Sequence, residues 1–134
     1  MWNDRIFLHV GLHKTGSTFL QRRIFPQLQA NLNIQQDMSY LATSDNFNPD
    51  VFHKIIQAGF ETTDHQATII SQEALSGRSD GNPMWDPYLI AERLKRSFPD
   101  GRVILIFRDQ RDYILSLYAF RVVRRGFERR TLSS

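Results

Sequence analysis

The chain of 134 residues, 41% apolar and 23% charged, has the size and composition of one globular domain, which excludes the disordered and fibrous classes. It has no cysteine, so disulfides, thiolate nucleophiles and Cys-ligated zinc are excluded together. The net charge of +3 is unevenly spread: residues 1–100 carry nine bases against eleven acids, while residues 101–134 carry eight arginines against three acids, an end that attracts anions.

Residues 5–10 read as a short strand buried on both faces, because Ile6, Phe7, Leu8 and Val10 leave no clean polar alternation. Gly11 breaks the strand. Thr15-Gly16-Ser17 then opens a helix carrying Thr18, Phe19, Leu20, Ile24 and Phe25, which Pro26 bends or ends. Residues 27–48 are rich in Asn, Gln and Asp and read as loop, with at most one short element near 38–41. A helix is predicted over 49–58, where Pro49 and Asp50 suit a first turn and Val51, Ile55 and Ala58 share a face. A second strand covers 67–71, and 73–82 is a loop by its Gly, Ser and Asn content. Asp86 caps a helix to about residue 98, patterned by Leu89, Ile90, Arg93 and Leu94 and stopped by Pro99-Asp100-Gly101. The third strand is 102–107. Asp109 or Gln110 starts a long helix through about residue 125, with Gly126 as its stop.

Strands alternating with helices at this spacing predict an α/β fold, a parallel β-sheet flanked by helices in one domain. The longest apolar run, 103–107, is far short of the roughly 18 residues a membrane helix needs. Asp4 and Arg5 precede only a short apolar stretch, unlike a secretory leader, so the expectation is a soluble, cytoplasmic protein. Ligands of parallel sheets collect at the carboxyl ends of the strands. That rule singles out residues 11–18, 72–78 and 108–116.

The first of these segments is Gly11-Leu12-His13-Lys14-Thr15-Gly16-Ser17-Thr18. A strand, a glycine turn and a hydroxyl-rich helix start make a phosphate cradle of backbone N–H groups, to which Lys14 adds a mobile charge. The Walker pattern places its lysine after the second glycine; here Lys14 precedes Gly16, which argues against ordinary ATP or GTP hydrolysis. In the third segment, Arg108 at the strand end and Ser116 two turns into the helix are spaced to converge on one phosphate.

Together these two segments resemble the sulfotransferase superfamily that uses 3′-phosphoadenosine 5′-phosphosulfate (PAPS). Lys14-Thr15-Gly16-Ser17-Thr18 matches the family's 5′-phosphosulfate loop at every position, and Arg108 with Ser116 is similar to its 3′-phosphate motif. The opening Leu8-His9-Val10-Gly11-Leu12-His13-Lys14-Thr15-Gly16 looks most like the bacterial and carbohydrate-type branches. The resemblance implies a P-loop-like nucleotide-binding core. It also implies PAPS as sulfuryl donor with 3′,5′-adenosine bisphosphate as product, no metal, and a hydroxyl-bearing acceptor such as a sugar, lipid or small molecule. Lys14 would stabilise the departing charge. Glu73 resembles the catalytic glutamate of glycan- and tyrosine-type members, and His13 is the rival base. His9, inside the strand, reads as a hydrogen-bonded structural histidine. Arg78 is either a contact to an anionic acceptor or a surface residue.

Such members usually continue into a later Gly- and Lys-bearing loop that is not found before Ser134, so the expectation is a member incomplete at its C-terminal end. The alternative is a non-catalytic or degenerate nucleotide-binding module of the same fold. Nucleic-acid binding has only the arginine-rich end behind it and is not expected.

Overall fold

The computed structural model describes residues 5–11, 15–28, 30–34, 38–60, 67–77, 83–120 and 122. Four strands form one sheet: β1 (Ile6–His9), β2 (Asn31–Asn33), β3 (Thr68–Ser71) and β4 (Arg102–Ile104), in the order β2-β3-β1-β4. Every pair is parallel. β1 sits between β3 and β4, with His9 opposite Ser71 on one side and Ile104 on the other.

Side chains along a strand alternate between the two faces of the sheet, and here the faces differ sharply. Leu8, Val10 and Ile70 enter the main core, with Ile6 packed against it. That core is closed by α2 (Ser39–Thr43), α3 (Pro49–Ala58) and α4 (Pro87–Ser97), through Leu41, Phe52, Ile56, Ile90 and Leu94. The opposite face carries His9 and Ser71 and is covered by the segment after β1. There α1 (Ser17–Phe19) passes into a π-type turn at Leu20–Ile24 and a 3₁₀ turn at Phe25–Gln27 that contains Pro26. His9 meets the edge of Phe25 across this layer, ring centroids 5.2 Å apart.

Helix starts follow the sequence signals. Asn48 Oδ1 accepts from the amides of Asp50 and Val51 at 2.9 and 3.4 Å, with Pro49 as the first helical residue of α3. Asp86 accepts from Leu89 at 2.9 Å ahead of Pro87 in α4. Asp109 accepts from Arg111 and Asp112 at 3.1 and 3.3 Å and starts α5 (Gln110–Ala119).

Three expectations are corrected. The 27–48 stretch contains β2, a strand of Asn31-Leu32-Asn33 that residue preference disfavours but that pairs with β3 along its whole length. The third strand stops at Ile104 rather than at residue 107, and Leu105 to Asp109 are irregular, so Arg108 stands four residues past the strand end. The loop after the second strand begins with a 3₁₀ turn, Glu73–Ser76.

Arg93 lies within the apolar pattern of α4 but is no hydrophobe. It is buried, donating through Nη1 to Leu41 O at 2.7 Å and through Nη2 to Ser44 O at 2.8 Å, with its guanidinium 5.0 Å from the Phe47 ring centroid. The two carbonyls belong to the end of α2, where helix geometry leaves acceptors without partners. Arg93→Met keeps the packing volume but strips both donors, and is expected to cost about 2–3 kcal/mol in urea unfolding at unchanged m-value.

Candidate functional site

The order β2-β3-β1-β4 decides where a ligand can enter. To reach β2 the chain leaves β1 over the His9 face of the sheet, and to reach β4 it leaves β3 over the opposite, core face, so the connections of two neighbouring strands part to opposite faces. Ligands of open parallel sheets bind at the carboxyl ends of strands that part in this way. The segments leaving those ends are the turn after β1, beginning at Gly11, and the turn after β3, beginning at Gln72.

The two turns are tied together. Gln72 N–H donates to His9 O at 3.3 Å, and the single Ser76 hydroxyl proton is shared between Glu73 O at 2.9 Å and Gly11 O at 3.3 Å. Glu73 opens the 3₁₀ turn and is half-buried. The turn ends at Gly77, whose φ of 78° and ψ of −178° suit glycine alone; a β-carbon there would lie 2.8 Å from Pro87 Cα and 2.9 Å from Trp85 O. The carboxylate candidate is thus held by a backbone bend locked against the start of α4.

On the β1 side, Gly16 is left-handed (φ 84°, ψ 16°) and caps α1, with Phe19 and Leu20 amides donating to its carbonyl at 3.0 and 3.1 Å. Thr15 is half-buried, Gly16 and Thr18 are exposed, and Ser17 is buried. Gly11 is needed for space: a β-carbon on it would stand 2.6 Å from Ser17 Oγ.

No family model, curated protein or solved structure matches the chain.

The residues predicted from the sequence fall into three groups. Thr15 and Gly16, with Ser17 and Thr18 in α1, follow β1, and Glu73 follows the neighbouring β3. Arg108 follows β4, on the other flank of β1 at the same edge of the sheet; it is exposed, and Ser116 is half-buried in α5. His13, Lys14 and Arg78 lie outside the described residues. A pocket of about 430 Å³, lined by Arg5, His53, Phe98, Asp100 and Arg102 among others, lies at the opposite, amino-terminal edge, and none of the predicted residues lines it. No helix among the described residues is long and apolar enough to cross a membrane.

Sequence reasoning passed over the partners of His9. Its Nδ1 is 2.7 Å from Ser71 Oγ, and Gln21 donates to the same oxygen at 2.9 Å. A usable signal was present: His9 and Ser71 are the polar residues that close two otherwise mainly apolar strands at their carboxyl ends, which parallel pairing brings level.

Burial holds the pKa of His9 below its ordinary 6.5, outweighing the opposing pull of the Glu73 carboxylate. The folded ring therefore resists protonation, and as pH falls below about 6.5 the unfolded chain binds the proton first. Stability from this group is level above that pH and declines on the acid side until the folded ring itself protonates. Urea unfolding between about pH 7.5 and 5 is expected to lose this part of the decline in His9→Gln. Gly77→Ala is expected to cost about 3 kcal/mol through strain and backbone contact. Gly16→Ala, where nothing lies within 4 Å of an added β-carbon, should cost only about 1–2 kcal/mol. Thermal unfolding of the two variants checks the difference.

Proposed function

We propose that this chain is a PAPS-dependent sulfotransferase, transferring a sulfuryl group to an acceptor hydroxyl. The observation that carries the reading is the position of β1 between β3 and β4: its glycine turn emerges with Glu73 on one flank and Arg108 on the other. Those are the three segments to which the sequence resemblance assigns the 5′-phosphosulfate, the acceptor and the 3′-phosphate.

The residues present suit a doubly phosphorylated nucleotide. Gly11 carries no side chain to press on Ser17 Oγ, so that hydroxyl keeps its place at the start of α1. Thr15, Gly16, Ser17 and Thr18 would hold the 5′-phosphate, and Arg108 with Ser116 the 3′-phosphate. When bound, the donor supplies an activated sulfuryl group on its 5′-phosphate.

Lys14, adjoining the loop in sequence, neutralises the negative charge that gathers on the oxygen bridging sulfur and phosphorus as that S–O bond breaks. Glu73 takes the proton of the acceptor hydroxyl as the new S–O bond forms, with His13 as the rival for that role. The products are a sulfate ester and 3′,5′-adenosine bisphosphate. Backbone amides and side-chain cations supply the charge stabilisation, so this arrangement assigns no role to a metal.

Calorimetry with 3′,5′-adenosine bisphosphate and with ADP tests the reading. The bisphosphate is expected to bind more tightly, and Arg108→Ala to weaken it by about ten-fold or more while leaving ADP little changed. Equal affinity for the two nucleotides overturns the 3′-phosphate assignment. Lys14→Ala is expected to depress sulfuryl transfer by at least about a hundred-fold. Tight, selective binding without transfer to any hydroxyl acceptor would identify a nucleotide-binding module instead.

A further inference from the structure

Beneath the Gly11 turn runs a polar row that the proposed reaction does not use. The Gln21 side-chain amide approaches both Ser71 O, at 3.5 Å, and Ser71 Oγ, at 2.9 Å. A carbonyl oxygen can only accept, so the Gln21 group facing Ser71 is its NH₂. With Ser71 Oγ accepting from Gln21, the arrangement that spends the Ser71 proton inside the row has Ser71 donating to His9 Nδ1, 2.7 Å away. A neutral imidazole that accepts at Nδ1 carries its hydrogen on Nε2. Burial favours that neutral ring, as described above.

The far end of the row is unfinished. His9 Nε2 and Ser17 Oγ are both buried, and neither atom has a hydrogen-bond partner among the described residues. A β-carbon on Gly11 would stand 2.6 Å from Ser17 Oγ and 3.6 Å from His9 Nε2, so both atoms border the space that a Gly11 side chain would enter. One is a fixed donor. The other is a hydroxyl, able to accept one hydrogen bond and donate another.

We propose that His9 is a positioning residue for this loop: its Nε2–H donates to the Ser17 hydroxyl oxygen when an anion is bound, turning the Ser17 proton toward that anion. The inference rests on the reading that residues 11–18 hold a phosphate-like group. It goes beyond that reading by making the orientation of Ser17 depend on Gln21, Ser71 and His9, none of which touches the ligand. Both buried orphans are satisfied in one step, and only when the anion is there to accept the last proton of the row.

Two experiments test it. In the unaltered protein, nitrogen-15 NMR of the histidine rings is expected to show His9 as the neutral Nε2–H tautomer. Adding 3′,5′-adenosine bisphosphate, or inorganic pyrophosphate as a probe for the loop alone, should move the Nε2–H proton downfield and slow its exchange. An Nδ1–H tautomer in the free protein overturns the proposal, and so does an Nε2–H signal that neither anion moves. A response to pyrophosphate without preference for the bisphosphate leaves the proposal standing and overturns the nucleotide reading instead.

The second experiment is a double-mutant cycle of His9→Phe and Ser17→Ala, read by affinity for whichever of the two anions binds. Loss of a single hydrogen bond to an anion predicts about a ten-fold weakening for each variant and about the same for the pair. A pair that weakens binding about a hundred-fold shows independent effects and overturns the proposal. If the variants do not fold, the NMR measurement on the unaltered chain still decides.

Discussion

The contact on which the candidate site depends is the one between His9 and Ser71. The two residues occupy level positions at the carboxyl ends of neighbouring parallel strands, and their side chains are bonded at 2.7 Å across the buried face of the sheet. Everything above that contact inherits its spacing. The turn after β1 and the turn after β3 leave the sheet from the very next residues, and they are joined again one layer higher by Ser76 and Gly11. A hydroxyl and an imidazole suit this position because each can bond on two sides, whereas an apolar pair would fill the space without fixing any direction.

The two faces of the sheet divide the work. The α2–α3–α4 face buries aliphatic and aromatic side chains, and even its charged member, Arg93, is spent on closing a helix end. The core face also holds the buried Thr68, Asn31 and Asn33, while the other face, under α1 and the irregular turns that follow it, buries His9 and Ser71. Hydrophobic packing there is thin, since Phe19, Ile24 and Leu28 remain exposed.

Much of this could be read from the chain before any coordinates. The helix at 49–58 and the cap at Asp86 follow from Pro, Asp and the apolar period, and the structure has them where those signals stand. The parallel sheet follows from the alternation of strand and helix. What escaped were features set by tertiary context. β2 is written in asparagines and becomes a strand only because β3 offers it a partner; β4 is shorter than its run of Val, Ile, Leu and Phe suggests, because pairing with β1 ends at Ile104 while the apolar residues continue. In the candidate site, the glycines and hydroxyls after β1 and the carboxylate Glu73 after β3 stood out in the sequence, and the structure sets those two segments after neighbouring strands. The row from Gln21 through Ser71 to His9 did not stand out, since its bonds join residues 50 and 62 positions apart.

The segment that covers the polar face changes its hydrogen-bond register twice in eleven residues, from α to π to 3₁₀. Each change alters which side chains point at the sheet, so a single insertion or deletion near Leu20 would rotate a different set of groups over His9 and Ser71 while β1, β3 and the opposite core stayed as they are. A scaffold of this kind can explore new specificities by slipping one cover against a constant floor, without having to rebuild the floor each time.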